Sequence, residues 1–226
     1  MNPHDNKEKT EVEVKFTCPE GYDLAAILNA AHTMGIQCVK EVPCFQTDAY
    51  LDTPEYTLLK AGIGLRIRQR GETHVGAYKS SGKQQDALFE RQEFEWTLSS
   101  DEIKLWTEEK KPTIPPAVVD KLNIQGKPLR KVLVVETNRH SAMLSGSDGL
   151  KAELSLDEVT FRGHRGQKPY REIEIELLHG QIDHLKQIAK DLQNQLALQP
   201  AVDSKYKIGM LLVGKYSAGE AKPQAQ

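Results

Sequence analysis

Three segments of this chain carry charges of sorted sign on one face of a strand, and no other feature restricts the fold as much. Arg66, Arg68 and Arg70 alternate with Leu65 and Ile67; Glu172, Glu174 and Glu176 alternate with Ile173, Ile175 and Leu177; Glu11, Glu13 and Lys15 alternate with Val12, Val14 and Phe16. A period of two marks a β-strand, whose successive side chains point to opposite faces. An outward face of a half-buried sheet is commonly charged, but it usually mixes signs along a strand. Like charges two residues apart repel by about 0.6 kcal/mol at 7 Å in water, and by more in a drier site. Rows of one sign therefore call for something of opposite sign between them.

The same periodicity predicts eight strands, over about Thr10 to Thr17, Cys38 to Leu51, Ile63 to Arg70, His74 to Lys79, Ala87 to Leu98, Arg130 to Ser145, Leu150 to Arg162 and Tyr170 to Leu178. Turn residues Arg70-Gly71-Glu72 and Gly146-Ser147-Asp148-Gly149 indicate antiparallel neighbours. Helices are expected from Asp23 as N-cap through Leu24, Ile27, Leu28 and Ala31, from a Ser99/Glu102 capping box to about Thr107, over Pro115 to Leu122, and over Gln181 to Leu198. The last has one apolar stripe of Ile182, Leu185, Ile188, Ala189, Leu192 and Leu196. The expected class is α+β, mainly β: an eight-stranded antiparallel sheet that can close into a barrel, with helices packed outside. Residues 1–9 and 213–226 are polar and expected to be disordered, leaving one domain over 10–212.

A net charge of −2 provides no basic field for nucleic acid, and no apolar run approaches the roughly 20 residues that span a bilayer. Neither nucleic acid nor membrane is expected as a partner, the expected location is the cytoplasm, and oligomeric state is not readable. Cys18, Cys38 and Cys44 lack metal-ligand spacing and read as ordinary thiols. No P-loop is present, since Gly82-Lys83 is followed by Gln84, and the histidines form no H-E-x-x-H pair. Tyr50, Tyr56, Tyr78, Trp96 and Trp106 read as core residues.

If the charged faces point inward, the natural filling is a polyphosphate with divalent cations. Arginine forks and lysines hold phosphate oxygens, while carboxylates hold the metal that also binds those oxygens. Glu11-Val12-Glu13-Val14-Lys15 resembles the E-x-E-x-K signature of the CYTH proteins, or triphosphate tunnel metalloenzymes. The similarity continues in order through Arg66-Ile67-Arg68, Lys79, Arg91-Gln92-Glu93-Phe94-Glu95, Arg139, Asp157, Glu172-Ile173-Glu174 and Lys205.

That resemblance implies an eight-stranded tunnel for a small-molecule triphosphate. It implies that Lys15, Arg66, Arg68, Lys79, Arg91 and Arg139 contact phosphate oxygens and that Lys205 closes on them. Glu11, Glu13, Asp157, Glu172 and Glu174 would bind Mg²⁺ or Mn²⁺, with Glu176 a possible stand-in and the inward role of Glu93 and Glu95 open. Glu13, Lys15, Arg66 and Lys79 are the expected catalytic group. The expected activity is metal-dependent hydrolysis of inorganic triphosphate by activated water. The alternatives are an organic triphosphatase acting on thiamine triphosphate or a nucleoside triphosphate, a class IV-type adenylate cyclase, and a polyphosphate-binding module without turnover.

Overall fold

The computed structural model describes residues 7–147 and 149–215. The termini beyond these limits, and Asp148 of the expected turn, lie outside the described residues. In chain order the elements are β1 (Lys7–Thr17), α1 (Leu24–Thr33), β2 (Gln37–Lys40), β3 (Cys44–Asp52), α2 (Thr57–Lys60), β4 (Gly64–Arg70), β5 (Thr73–Lys79), β6 (Lys83–Gln85), β7 (Leu88–Thr97), α3 (Ser100–Lys104), α4 (Pro116–Leu122), β8 (Arg130–Ser145), β9 (Lys151–Gly163), β10 (Gly166–His179), α5 (Ile182–Leu196), β11 (Gln199–Pro200) and α6 (Lys205–Val213).

Eight of the strands close on themselves in the order β1-β10-β9-β8-β3-β4-β5-β7, and β7 returns to pair with β1. All of these pairings are antiparallel. Closure leaves the barrel without an edge. The first strand begins at Lys7, earlier than its sequence pattern suggests, because Lys7, Glu8 and Lys9 pair with Glu95, Phe94 and Glu93. The segment expected as a single strand over Cys38 to Leu51 is divided into β2 and β3, both of which pair with β8. Pro43 lies at the break and has no N–H to give to a ladder.

The outward faces are apolar and covered by helices. Val12, Val14 and Phe16 of β1, Leu154 and Leu156 of β9, and Ile173 and Ile175 of β10 pack under α1 and α5, whose Ile27, Leu28, Leu185 and Leu192 face them. On the other side Leu65, Ile67, Phe94 and Trp96 pack with Val118 and Leu122 of α4. Gly76 is required there, since a Cβ would meet the Trp96 ring at 2.0 Å. Asp23 caps α1 through Ala26 N, and Ser99 and Glu102 form the capping box that starts α3. That helix continues as a π-turn over Leu105–Glu109 and stops at Lys110, with φ 58°. No described helix is long and apolar enough to cross a membrane.

α6 is not marked by the sequence pattern. Ser204 caps it, and its buried Tyr206, Met210 and Val213 pack on Tyr50, Leu133, Val135, Val159 and Phe161. On β8 and β9 those residues share parity with Arg139 and Asp157, so they belong to the inner face of the barrel. The helix thus fills one end of the barrel from within. Gly209 allows this approach, because a Cβ there would meet Leu133 at 2.6 Å and Phe161 at 2.7 Å.

Candidate active site

The inner face beyond α6 is charged. A cavity of about 230 Å³ is lined by Lys9, Glu11, Glu13 and Lys15 of β1, Arg66 and Arg68 of β4, Lys79 of β5, Arg91, Glu93 and Glu95 of β7, Arg139 of β8, Glu153 and Ser155 of β9, Glu174 and Glu176 of β10, and Tyr50, Ser204, Lys205 and Tyr206. Strand alternation places them there: the inward residues of β1 and β10 are those whose chain neighbours Val12, Val14, Ile173 and Ile175 form the outer core.

Register sets opposite charges side by side. Glu11 lies across from Arg91, Lys15 from Glu174, Lys79 from Glu93, Arg139 from Asp157 and Arg68 from Asp48. Lys79 Nζ donates to Glu11 Oε1 at 2.6 Å, and Lys15 Nζ to Glu174 Oε1 at 2.6 Å. Arg139 grips Asp157 with two bonds of 2.8 and 2.7 Å, and Arg68 grips Asp48 with two of 2.7 and 2.9 Å. Arg91 Nη2 lies against Glu13 Oε1 and 3.4 Å from Glu11 Oε2.

Beneath the cavity, Asp157, Glu172 and Glu174 bring carboxylate oxygens within 4.8 Å of one another. Lys205 Nζ sits among them, 2.7 Å from Asp157 Oδ2 and 3.0 Å from Glu174 Oε1, and against Glu172 Oε1. The fully buried Glu172 is ion-paired to Lys205, and the Tyr170 hydroxyl also faces its carboxylate. Burial pushes Glu172 up to about 7 against the pull of Lys205. Burial acts in the same direction on Asp157 and Glu174, but Lys205 and Arg139 beside Asp157, and Lys15 and Lys205 beside Glu174, hold both below the usual carboxylate range. Burial also opposes the charge on Lys205, yet Asp157, Glu172 and Glu174 keep its ammonium well above its ordinary value.

The arrangement fits a hard divalent cation. Its donors are all carboxylate oxygens gathered within 4.8 Å, and the Lys205 ammonium among them marks the place a cation would take.

Of the residues singled out in the sequence, Glu11, Glu13, Lys15, Arg66, Arg68, Lys79, Arg91, Arg139, Glu174 and Lys205 line one cavity, and Asp157 and Glu172 lie under it. Glu93, Glu95 and Glu176 also line it, and Glu176 is the direct cross-strand partner of Glu13. Tyr50, expected as core, is both buried and cavity-lining. Tyr78 and Trp96 are core residues, while Tyr56 and Trp106 pack at the core margin. Arg70 turns away to Gln46 Oε1 at 2.7 Å. Cys18, Cys38 and Cys44 are free thiols outside the cavity lining, although Cys44 is the cross-strand partner of Arg139.

Sequence reasoning missed Lys9, Asp48, Glu153 and Tyr206. Lys9 and Asp48 carry the alternation signal, two residues before Glu11 and two before Tyr50. No local signal marks Tyr206, which depends on α6.

The sequence matches the CYTH domain family over residues 9–206. It is 26% identical over 171 residues to the inorganic triphosphatase of Haemophilus influenzae, covering 76% of this chain and 47% of that protein, so the chain spans about half the length of this relative. Among solved structures, a candidate adenylate cyclase from Bacillus halodurans superposes with a TM-score of 0.62 at 21% identity, covering 89% of this chain and 97% of the other. A Hippeastrum protein described as a candidate adenylyl cyclase with a dominant triphosphatase activity gives 0.60 at 19% identity, covering 88% and 94%. At such identities these two likenesses establish the fold.

Proposed function

The chain belongs to the CYTH domain family, and from that premise we propose that it hydrolyses a linear triphosphate, inorganic triphosphate in the first place, to pyrophosphate and phosphate. The observation that carries the proposal is the paired inner wall: each phosphate-type cation named above is matched to a carboxylate inside a closed barrel. With a triphosphate and divalent cations bound, the arginines and lysines would hold phosphate oxygens and the carboxylates would hold the metal. A pure anion receptor would need the cations and would be weakened by Glu11, Glu13, Glu174 and Glu176, which disfavours the binding-module reading.

In this proposal Lys15, Arg66, Arg68, Lys79, Arg91 and Arg139 hold and orient phosphate oxygens, with Lys205 closing on them from α6. Glu11, Glu13, Asp157, Glu172 and Glu174 would hold Mg²⁺ or Mn²⁺, and Glu176, opposite Glu13, can complete the set. When bound, such an ion supplies charge neutralisation and Lewis-acid polarisation at phosphate oxygen. Glu13 takes the proton of the water that attacks the terminal phosphorus in line. The bridging P–O bond breaks, and Lys79 and Arg66 stabilise the charge that develops on the departing pyrophosphate. No covalent nucleophile is needed.

Inorganic triphosphate is preferred because the cavity lining is mostly charged. Its aromatic members, Tyr50 and Tyr206, are stacked on each other at 4.8 Å, leaving no free ring for a base or thiazolium. The test is phosphate release from inorganic triphosphate, ATP, thiamine triphosphate and pyrophosphate with Mg²⁺, Mn²⁺ or EDTA. Metal-dependent release confined to inorganic triphosphate is expected; faster formation of cyclic AMP from ATP would replace this reading by the cyclase one.

A further inference from the structure

Asp52 ends β3 with no exposure to solvent, and its carboxylate collects more donors than any other described side chain outside the tunnel wall. Oδ1 accepts the backbone N–H of Thr53 at 2.7 Å and of Leu58 at 2.9 Å; Oδ2 accepts Leu59 N–H at 2.9 Å and the Tyr206 hydroxyl at 2.7 Å. The Leu58 and Leu59 donors belong to the first turn of α2, whose own N-cap residue, Tyr56, has a left-handed φ of 59° and provides no side-chain cap. Asp52 thus ties the first turn of α2 to the first turn of α6.

The Tyr206 ring is held a second time. It lies flat on Tyr50, with centroids 4.8 Å apart and planes inclined by 2°. Burial and the adjacent Asp52 carboxylate both raise the phenol far above its ordinary range, so it stays a donor. Stack and hydrogen bond together fix the position of α6 and its rotation about its own axis. The residue before Tyr206 is Lys205, whose ammonium lies among Asp157, Glu172 and Glu174. Successive helix residues are set about 100° apart, so a small rotation of α6 swings the long Lys205 side chain off this point.

We infer that Asp52 and Tyr206 are positioning residues: their hydrogen bond aims Lys205 at the phosphate and carboxylate groups of the tunnel. Neither touches the reacting atoms in this assignment. The inference rests on the proposed triphosphate site and adds to it a specific cause for the placement of Lys205.

A double-mutant cycle tests it. Tyr206→Phe keeps the ring and its stack and removes only the hydroxyl. Affinity for inorganic triphosphate is measured by calorimetry in EDTA, and kcat/KM with Mg²⁺, for the wild type, Tyr206→Phe, Lys205→Met and the double variant. Thermal melts check that each is folded. Tyr206→Phe is expected to weaken binding about fivefold to twentyfold when Lys205 is present and less than twofold when Lys205 is already Met. Equal losses in both backgrounds mean that the hydroxyl acts on packing alone and overturn the inference, as does no loss in either. If Tyr206→Phe melts below the assay temperature, Asp52→Asn, which retains one acceptor oxygen for α2, takes its place in the cycle. A wild type that neither binds nor cleaves inorganic triphosphate would refute the proposed function instead, a result visible before any variant is made.

Discussion

The inner face of the barrel has two halves made by the same strands. Along β8, Leu133 and Val135 give way to Arg139 and Ser141; along β9, Phe161 and Val159 give way to Asp157 and Ser155. One half buries its apolar residues under α6, whereas the other carries closely paired charges around open space. Apolar packing is thus concentrated in one half and the candidate active site in the other. Buried ion pairs return little net stability, because desolvation offsets most of their attraction, so the cross-strand pairing relieves the like-charge rows without adding much to the fold.

The sharpest way to break this comparison is Glu13→Gln. In the charged half it should lower metal-dependent triphosphate turnover per folded molecule by about two to three orders of magnitude, typical for loss of a group acting in the transition state, with a lower melting temperature because Arg91 and Lys15 lose a buried partner. Unchanged hydrolysis would remove Glu13 from the mechanism. In the apolar half the converse is expected. Leu133→Ala should cost about 2–5 kcal/mol of stability, read from the urea midpoint, with turnover per folded molecule changed less than threefold. A large loss of turnover without loss of stability would show that the two halves are not separable.

Asp48 gives a subtler test because it links the halves. Burial would raise its carboxyl, but Arg66 and Arg68 hold it well below its ordinary value of 3.8. A depressed carboxylate contributes stability that is fully present above its unfolded value and is lost as pH falls below about 4. Asp48→Asn should therefore flatten the acid limb of the stability curve, measured by melting temperature between pH 2 and 6, and leave the limb above pH 5 parallel to wild type. An unaltered acid limb would show that other carboxylates control it. The smallest effect is expected from Cys44→Ser, less than twofold in turnover, since the thiol has no role in the chemistry.

The charged half was largely legible in the sequence. Period two names its inward residues, and the sorted signs indicate that they face a common filling; the ordered motifs then point to the triphosphate tunnel. The apolar half was not. Val132-Leu133-Val134-Val135 departs from alternation and could have signalled a strand buried on both faces. The helix that covers it is short, is interrupted by Gly209 and has apolar residues around much of its circumference, so its pattern shows no clear face. Asp48 and Asp52 were passed over for a similar reason: their partners Arg68 and Tyr206 are 20 and 154 residues away, and no local spacing reports them.

A barrel stoppered at one end by α6 is a blind channel. A polymer cannot be threaded through it, so a long polyphosphate would have to present its end, lose a unit and withdraw by the way it came. Cleavage of longer chains would then be distributive, with intermediates of every length accumulating in solution instead of one molecule being consumed to completion.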